Sequence, residues 1–171
     1  MNDEEIATAF QDVFDQALLF HGFAEHMRDY DLYIYATADP STGIKPEHLR
    51  YRFSCCVVAN VTTAVRDDVW PNSTDERLID YERAIRDELD GYVWGVNWQM
   101  LYPGIALVPE SRMAADWSNR LGIDLREAVI EGNGHRMQLI FRDLSVSTAT
   151  AGSHPFEVPQ AGGPDGKFPL G

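Results

Sequence analysis

Residues 126–141 admit one self-consistent pairing, and that pairing constrains the fold more than any other feature. Asn133-Gly134 lies between two runs of alternating apolar residues, and Asn-Gly is the strongest local signal for a two-residue hairpin turn, here of type I′. A two-residue loop sets Gly132 opposite His135, Glu131 opposite Arg136 and Ile130 opposite Met137. The ladder continues Val129–Gln138, Ala128–Leu139, Glu127–Ile140 and Arg126–Phe141. Directly opposed residues share a face. Ala128, Ile130, Met137, Leu139 and Phe141 then form one apolar face, and the other carries the opposite-charge pair Glu131–Arg136. An antiparallel sheet with a one-sided core is the expectation.

The run 91–104 contains two of the four tryptophans and no charge. As a strand it places Tyr92, Trp94, Val96, Trp98 and Met100 on one face, and Val93, Gly95, Asn97, Gln99 and Leu101 on the other. It reads as a central strand ending at the turn Tyr102-Pro-Gly104. Residues 3–20 follow helical spacing through Ile6, Ala9, Phe10, Val13, Phe14 and Ala17, with Asn2 or Asp3 as cap and Gly22 as terminator. The outer face of this helix is acidic (Asp3, Glu4, Glu5, Asp12, Asp15), and no Lys or Arg precedes Arg28.

Between these segments, Asp31–Thr37 reads as a strand and Asp39-Pro-Ser-Thr-Gly43 as a turn. A longer strand over 49–61 places Tyr51, Phe53, Cys55, Val57 and Ala59 on one face. Residues 62–90 hold nine acids against four arginines, with a helix capped by Ser73 or Thr74 and ending at Asp90-Gly91. Leu78, Ile79, Tyr81 and Ile85 form its buried side. A short helix over 110–121 sets Met113, Trp117 and Leu121 at i, i+4, i+8 and closes at Gly122. The order α-β-β-α-β-α-β-β predicts an α+β fold: a single domain over residues 1–147, with about five mostly antiparallel strands and helices on one face. Residues 148–171, rich in Gly and Pro, read as a flexible tail.

Charge and cysteine usage narrow the function. A net charge of −13 argues against nucleic acid, whose phosphates need clustered Lys and Arg, and favours a basic protein partner. No apolar run approaches the roughly 20 residues of a membrane span. The opening Met-Asn-Asp-Glu-Glu has no positive n-region, so the cytoplasm is the expected compartment. Cys55 and Cys56, adjacent in a strand, point to opposite faces and read as small buried residues that do not pair.

Several motifs of this chain occur together in one known family. They are Met27-Arg-Asp-Tyr30, Asp39-Pro-Ser-Thr-Gly43, Asp75-Glu-Arg-Leu-Ile-Asp-Tyr81, Asp90-Gly-Tyr-Val-Trp-Gly-Val-Asn-Trp98 with Leu101-Tyr-Pro-Gly104, and Phe141-Arg-Asp-Leu144. In that order, over roughly residues 6–146, the chain resembles the YxiG-like family of bacterial proteins. The resemblance brings no activity and no catalytic residues. Some members lie in gene neighbourhoods like those of polymorphic toxins and their immunity proteins, so it implies an immunity role.

Catalytic constellations are weak. His21 with Glu25 or His26 makes a partial metal site at most, while His48, His135 and His154 share no ligand spacing. No metal or cofactor is expected. The carboxylates at 67–68 and 87–90 are interleaved with arginines in the manner of solvated ion pairs. No nucleophile elbow, Walker loop or dinucleotide fingerprint occurs, so no catalytic residue is assigned.

The reading is an acidic cytosolic protein-binding module, an immunity protein that neutralises a basic toxin. Its candidate interface is Asp67, Asp68, Asp75, Asp80, Asp87, Tyr92, Trp94, Asn97, Trp98, Gln99 and Tyr102. An uncovered second sheet face would add Tyr33, Arg50 and Arg52. The alternative is a small-molecule-binding or enzymatic domain with a pocket beside the Trp94–Trp98 strand.

Overall fold

The computed structural model describes residues 1–24, 26–65, 67 and 99–150. It is an α+β fold of two antiparallel sheets. Helix α1 spans Asp3–Gln11 and β1 spans Ala17–Ala24; β2 is Asp29–Ala36, β3 is Glu47–Ser54, β4 is Val58–Thr63 and β5 is Gln99–Met100. Then follow β6 (Gly104–Leu107), helix α2 (Arg112–Leu121), β7 (Arg126–Glu131), β8 (His135–Phe141) and β9 (Asp143–Thr148). One sheet has the order β5-β1-β2-β3-β9, the other β4-β8-β7-β6.

The core lies between the two sheets. Strand β2 sends Tyr30, Leu32 and Ile34 inward and β3 sends Tyr51 and Phe53. The β7–β8 hairpin answers with Ala128, Ile130, Met137, Leu139 and Phe141, all buried. This is the apolar face and register expected of the hairpin, pair for pair from Arg126–Phe141 to Glu131–Arg136. The Glu131–Arg136 ion pair is also present at 2.6 Å. Helix α1 closes the sandwich with Ile6, Ala9 and Phe10. Asn2 caps it in a box: Asn2 Oδ1 accepts from Glu5 N at 2.9 Å, and Glu5 Oε2 accepts from Asn2 N at 2.8 Å.

Tertiary pairing overrides several local expectations. The first helix ends at Gln11 rather than near residue 20. Asp15 adopts φ 58°, and its N–H goes to Leu101 O at 2.8 Å, which leaves residues 17–24 free to pair with both β2 and β5. Gly22 therefore sits inside a strand and terminates nothing. The run 49–61 is two strands in two different sheets, broken at Cys55 with φ 48°. After that break the parity reverses, so Cys56 is buried and Cys55 is half-exposed beside Arg28.

The hairpin turn is not type I′, because neither Asn133 nor Gly134 has positive φ. Contacts with β5 shape it instead. Asn133 N donates to Met100 O at 3.1 Å, and Asn133 Oδ1 accepts from Met100 N at 2.9 Å. The Gln99 side chain lies over Gly134, where an added Cβ would stand 2.7 Å from Gln99 Cδ. Gly134→Ala is expected to lose about 1–3 kcal/mol by overpacking, read from urea unfolding; an unchanged midpoint would contradict the Gln99 seat.

The sandwich also needs cover on its far side. Ile140 alternates with Leu139 and Phe141, so it points away from the main core. It packs with Ala114 and Leu125 in a second cluster under α2. The two described helices thus lie on different faces of the second sheet, and the described residues hold nine strands where five or so are expected. Within α2, Ala114 is buried and Trp117 packs half-buried on the same cluster, while Met113 and Leu121 are exposed, so the apolar i, i+4, i+8 stripe meets the core through Trp117 alone. Ser111 caps this helix and Gly122 closes it at φ 68°. The described part of the Trp-bearing run, β5, pairs among the described residues with β1. The acidic helix expected within 62–90, residues 91–98 of the aromatic run and residues 151–171 lie outside the described residues.

Candidate functional site

Three of the expected interface residues fall within the described chain. Asp67 is exposed in a turn. Gln99 pairs with Leu18, whose side chain is buried in the core, so it faces inward and is not joined to Arg50 and Arg52. Tyr102 is 61% exposed. Asp68, Asp75, Asp80, Asp87, Tyr92, Trp94, Asn97 and Trp98 lie outside the described residues.

Tyr102 has an aromatic partner. Phe14, 46% exposed, stands 5.8 Å from it between ring centroids, at 59°. The backbone fixes the pair: Asp15 N donates to Leu101 O at 2.8 Å and Leu101 N to Gln16 O at 2.9 Å. Those two bonds clamp the turn after α1 to the end of β5. Phe14 fits helical spacing, and the break of α1 after Gln11 carries it out of the core. Asp12 and Asp15 flank it, both exposed, and Glu4 is exposed on the same helix. Among the described residues no cation pairs with any of these three. Asp3 does pair, with Arg126 at 2.5 Å, a surface contact worth about 0–1 kcal/mol.

Tyr33, Arg50 and Arg52 do meet on the outer face of the first sheet, where Tyr33 opposes Arg50 and Asp31 opposes Arg52. All three are half-buried, and Arg52 is committed to a fork on Asp31 through Nε and Nη2, each at 2.9 Å. Asp31 is fully buried. This cluster is a structural brace more than a free surface.

A cleft of about 490 Å³ lies where α2 meets β7, lined by Asp3, Leu107, Pro109, Ser111, Leu125 and Glu127 among others. Glu127 is buried. Its Oε2 accepts from Ser111 Oγ, and its Oε1 accepts from Gln138 Nε2 at 2.8 Å. Gln138 Oε1 in turn accepts from Asn60 at 3.1 Å. Ser111 Oγ also accepts from Ala114 N at 3.0 Å as the helix cap. Ser111 Oγ and both Glu127 oxygens are engaged in this network, so Ser111 is not poised as a nucleophile.

A last cluster closes one end of the sandwich. His21 Nδ1 meets Tyr30 Oη at 2.7 Å, and the His21 and His135 rings are 5.9 Å apart. Burial, and next the neighbouring His135, push the His21 pKa below its ordinary value; burial lifts the Tyr30 phenol to about 12. Sequence reading left these two histidines apart because residues 21 and 135 belong to different sheets, and only the sandwich joins them.

The geometry defines an acidic α+β sandwich with an aromatic pair on its surface and no assembled catalytic constellation among the described residues. The family model of YxiG-like proteins matches residues 2–159, and the chain belongs to that family. No curated protein matches it. No solved structure matches it either. No described helix is long and apolar enough to cross a membrane.

Proposed function

We propose that this chain is a cytosolic protein-binding module, an immunity protein that covers the basic active-site surface of a toxin. The observation that carries the reading is the exposed Phe14–Tyr102 pair framed by Asp12 and Asp15. Exposed aromatic anchors ringed by charge are what hot spots are made of. A net charge of −13 steers a basic partner towards that surface.

The test is affinity capture from host lysate at low and high salt. The parent chain is expected to retain one basic protein that salt releases, and Phe14→Ala/Tyr102→Ala to lose it by about 100-fold in affinity or more. Equal retention by the double variant refutes the docking surface. The alternative, a small-molecule-binding or enzymatic pocket beside the Trp94–Trp98 strand, falls outside the described residues; among the described ones the cleft at α2 has internally satisfied polar groups and ranks second.

A further inference from the structure

We propose that His21 and His135 form a binding site for a late first-row divalent metal ion such as Zn²⁺, held between the two sheets by both Nε2 atoms. It is independent of the docking surface.

Three observations support it. The first is position. His21 opposes Leu32 on β1–β2, and His135 shares the parity of Met137 and Leu139 on β8. Both imidazoles therefore point into the end of the sandwich from opposite sheets, and both are half-buried. The second is spacing. Two imidazoles sharing one zinc at about 2.1 Å per nitrogen have ring centres roughly 5–6 Å apart, and these rings are 5.9 Å apart at 66°.

The third is what already holds the rings. A metal-bound imidazole characteristically has its second nitrogen fixed by a hydrogen bond. His21 Nδ1 is fixed by the Tyr30 hydroxyl at 2.7 Å, and His135 Nδ1 by the Gln99 amide at 2.6 Å. The amide nitrogen faces Nδ1, leaving Gln99 Oε1 buried and without a hydrogen-bond partner among the described residues. A separation of 2.6 Å is short for two nitrogens and suits an oxygen accepting from Nδ1–H. Turning the amide supplies that oxygen and fixes the tautomer whose Nε2 lone pair is free. A metal on His21 Nε2 requires the same of Tyr30 Oη, which then accepts from Nδ1–H.

Among the described residues no group of three or more His, Cys, Asp or Glu gathers at one point. The site therefore offers two protein nitrogens, and water fills the other positions. Imidazole donors suit zinc, copper and nickel over magnesium or calcium. The overall negative charge of the chain favours any cation.

The test is titration of the full chain with Zn²⁺, followed by calorimetry and by Cu²⁺ electron paramagnetic resonance. The parent chain is expected to bind one equivalent and to show coupling to two imidazole nitrogens. His21→Gln and His135→Gln should each weaken binding at least about tenfold, and Tyr30→Phe, a positioning change, by about tenfold. His48→Gln, whose ring lies 4.8 Å from that of Tyr35 instead, should change nothing. If His21→Gln fails to fold, the nitrogen count in His135→Gln decides alone: a fall from two to one supports the site. Absence of stoichiometric binding, or a count still at two in His135→Gln, overturns the proposal.

Discussion

Arg52→Met is expected to cost about 3–5 kcal/mol in unfolding free energy. Asp31 is buried in the centre of the first sheet with the Arg52 fork on both of its oxygens. Removing the guanidinium strands a carboxylate that water cannot reach. The penalty is that of an uncompensated buried charge, well above the worth of a surface ion pair. If so, the damage is curable by removing the charge as well. Asp31→Leu/Arg52→Met should recover most of the loss, since apolar replacements of a buried pair are often close to neutral. Denaturant unfolding of the double-mutant cycle measures both. Equal losses in the single and double variants would show that packing, not charge, is what Arg52 supplies.

One residue further on, Phe53→Ala should cost a similar 3–5 kcal/mol for an unrelated reason. Phe53 points to the opposite face and is fully buried. Its ring lies 4.8 Å from Phe141 of the second sheet, edge-on at 88°, and 6.1 Å from Phe10 of α1. It is the point at which both sheets and the first helix meet, so truncation opens a cavity that no single element can relax to fill. Phe53→Leu retains most of the volume and should cost less than about 1.5 kcal/mol. A loss below 1 kcal/mol in Phe53→Ala would mean that the sheets collapse onto one another without it.

These neighbours show which information is local. The hairpin register from Arg126 to Phe141 was legible because a two-residue loop and strict alternation leave one solution. The helix cap, left between Asn2 and Asp3, and the Asp39–Gly43 turn were legible too, since caps and tight turns are satisfied by residues a few positions away. Residues 17–20 fit the helical period but belong to β1. Ala-Leu-Leu-Phe fits either period, and only pairing with β2 and β5 decides. The break at Cys55 was invisible for the same reason: each half of 49–61 alternates well, but the halves serve different sheets. The turn type at Asn133-Gly134 was lost to Gln99 and Met100, more than thirty residues away.

The candidate surface divides along the same line. Tyr102 was singled out from the aromatic run, yet its partner Phe14 was assigned to the core, because the helical period places it there. The meeting of His21 with His135 requires both sheets and leaves no trace in spacing.

The most direct test of the central claim is the association rate of the captured basic partner with this chain, followed by stopped flow from about 50 to about 200 mM salt. Electrostatic steering by the acidic surface predicts that the rate falls about tenfold or more across that range, and that Phe14→Ala/Tyr102→Ala mainly speeds dissociation. A salt-independent association rate, with dissociation unchanged in the double variant, would contradict it.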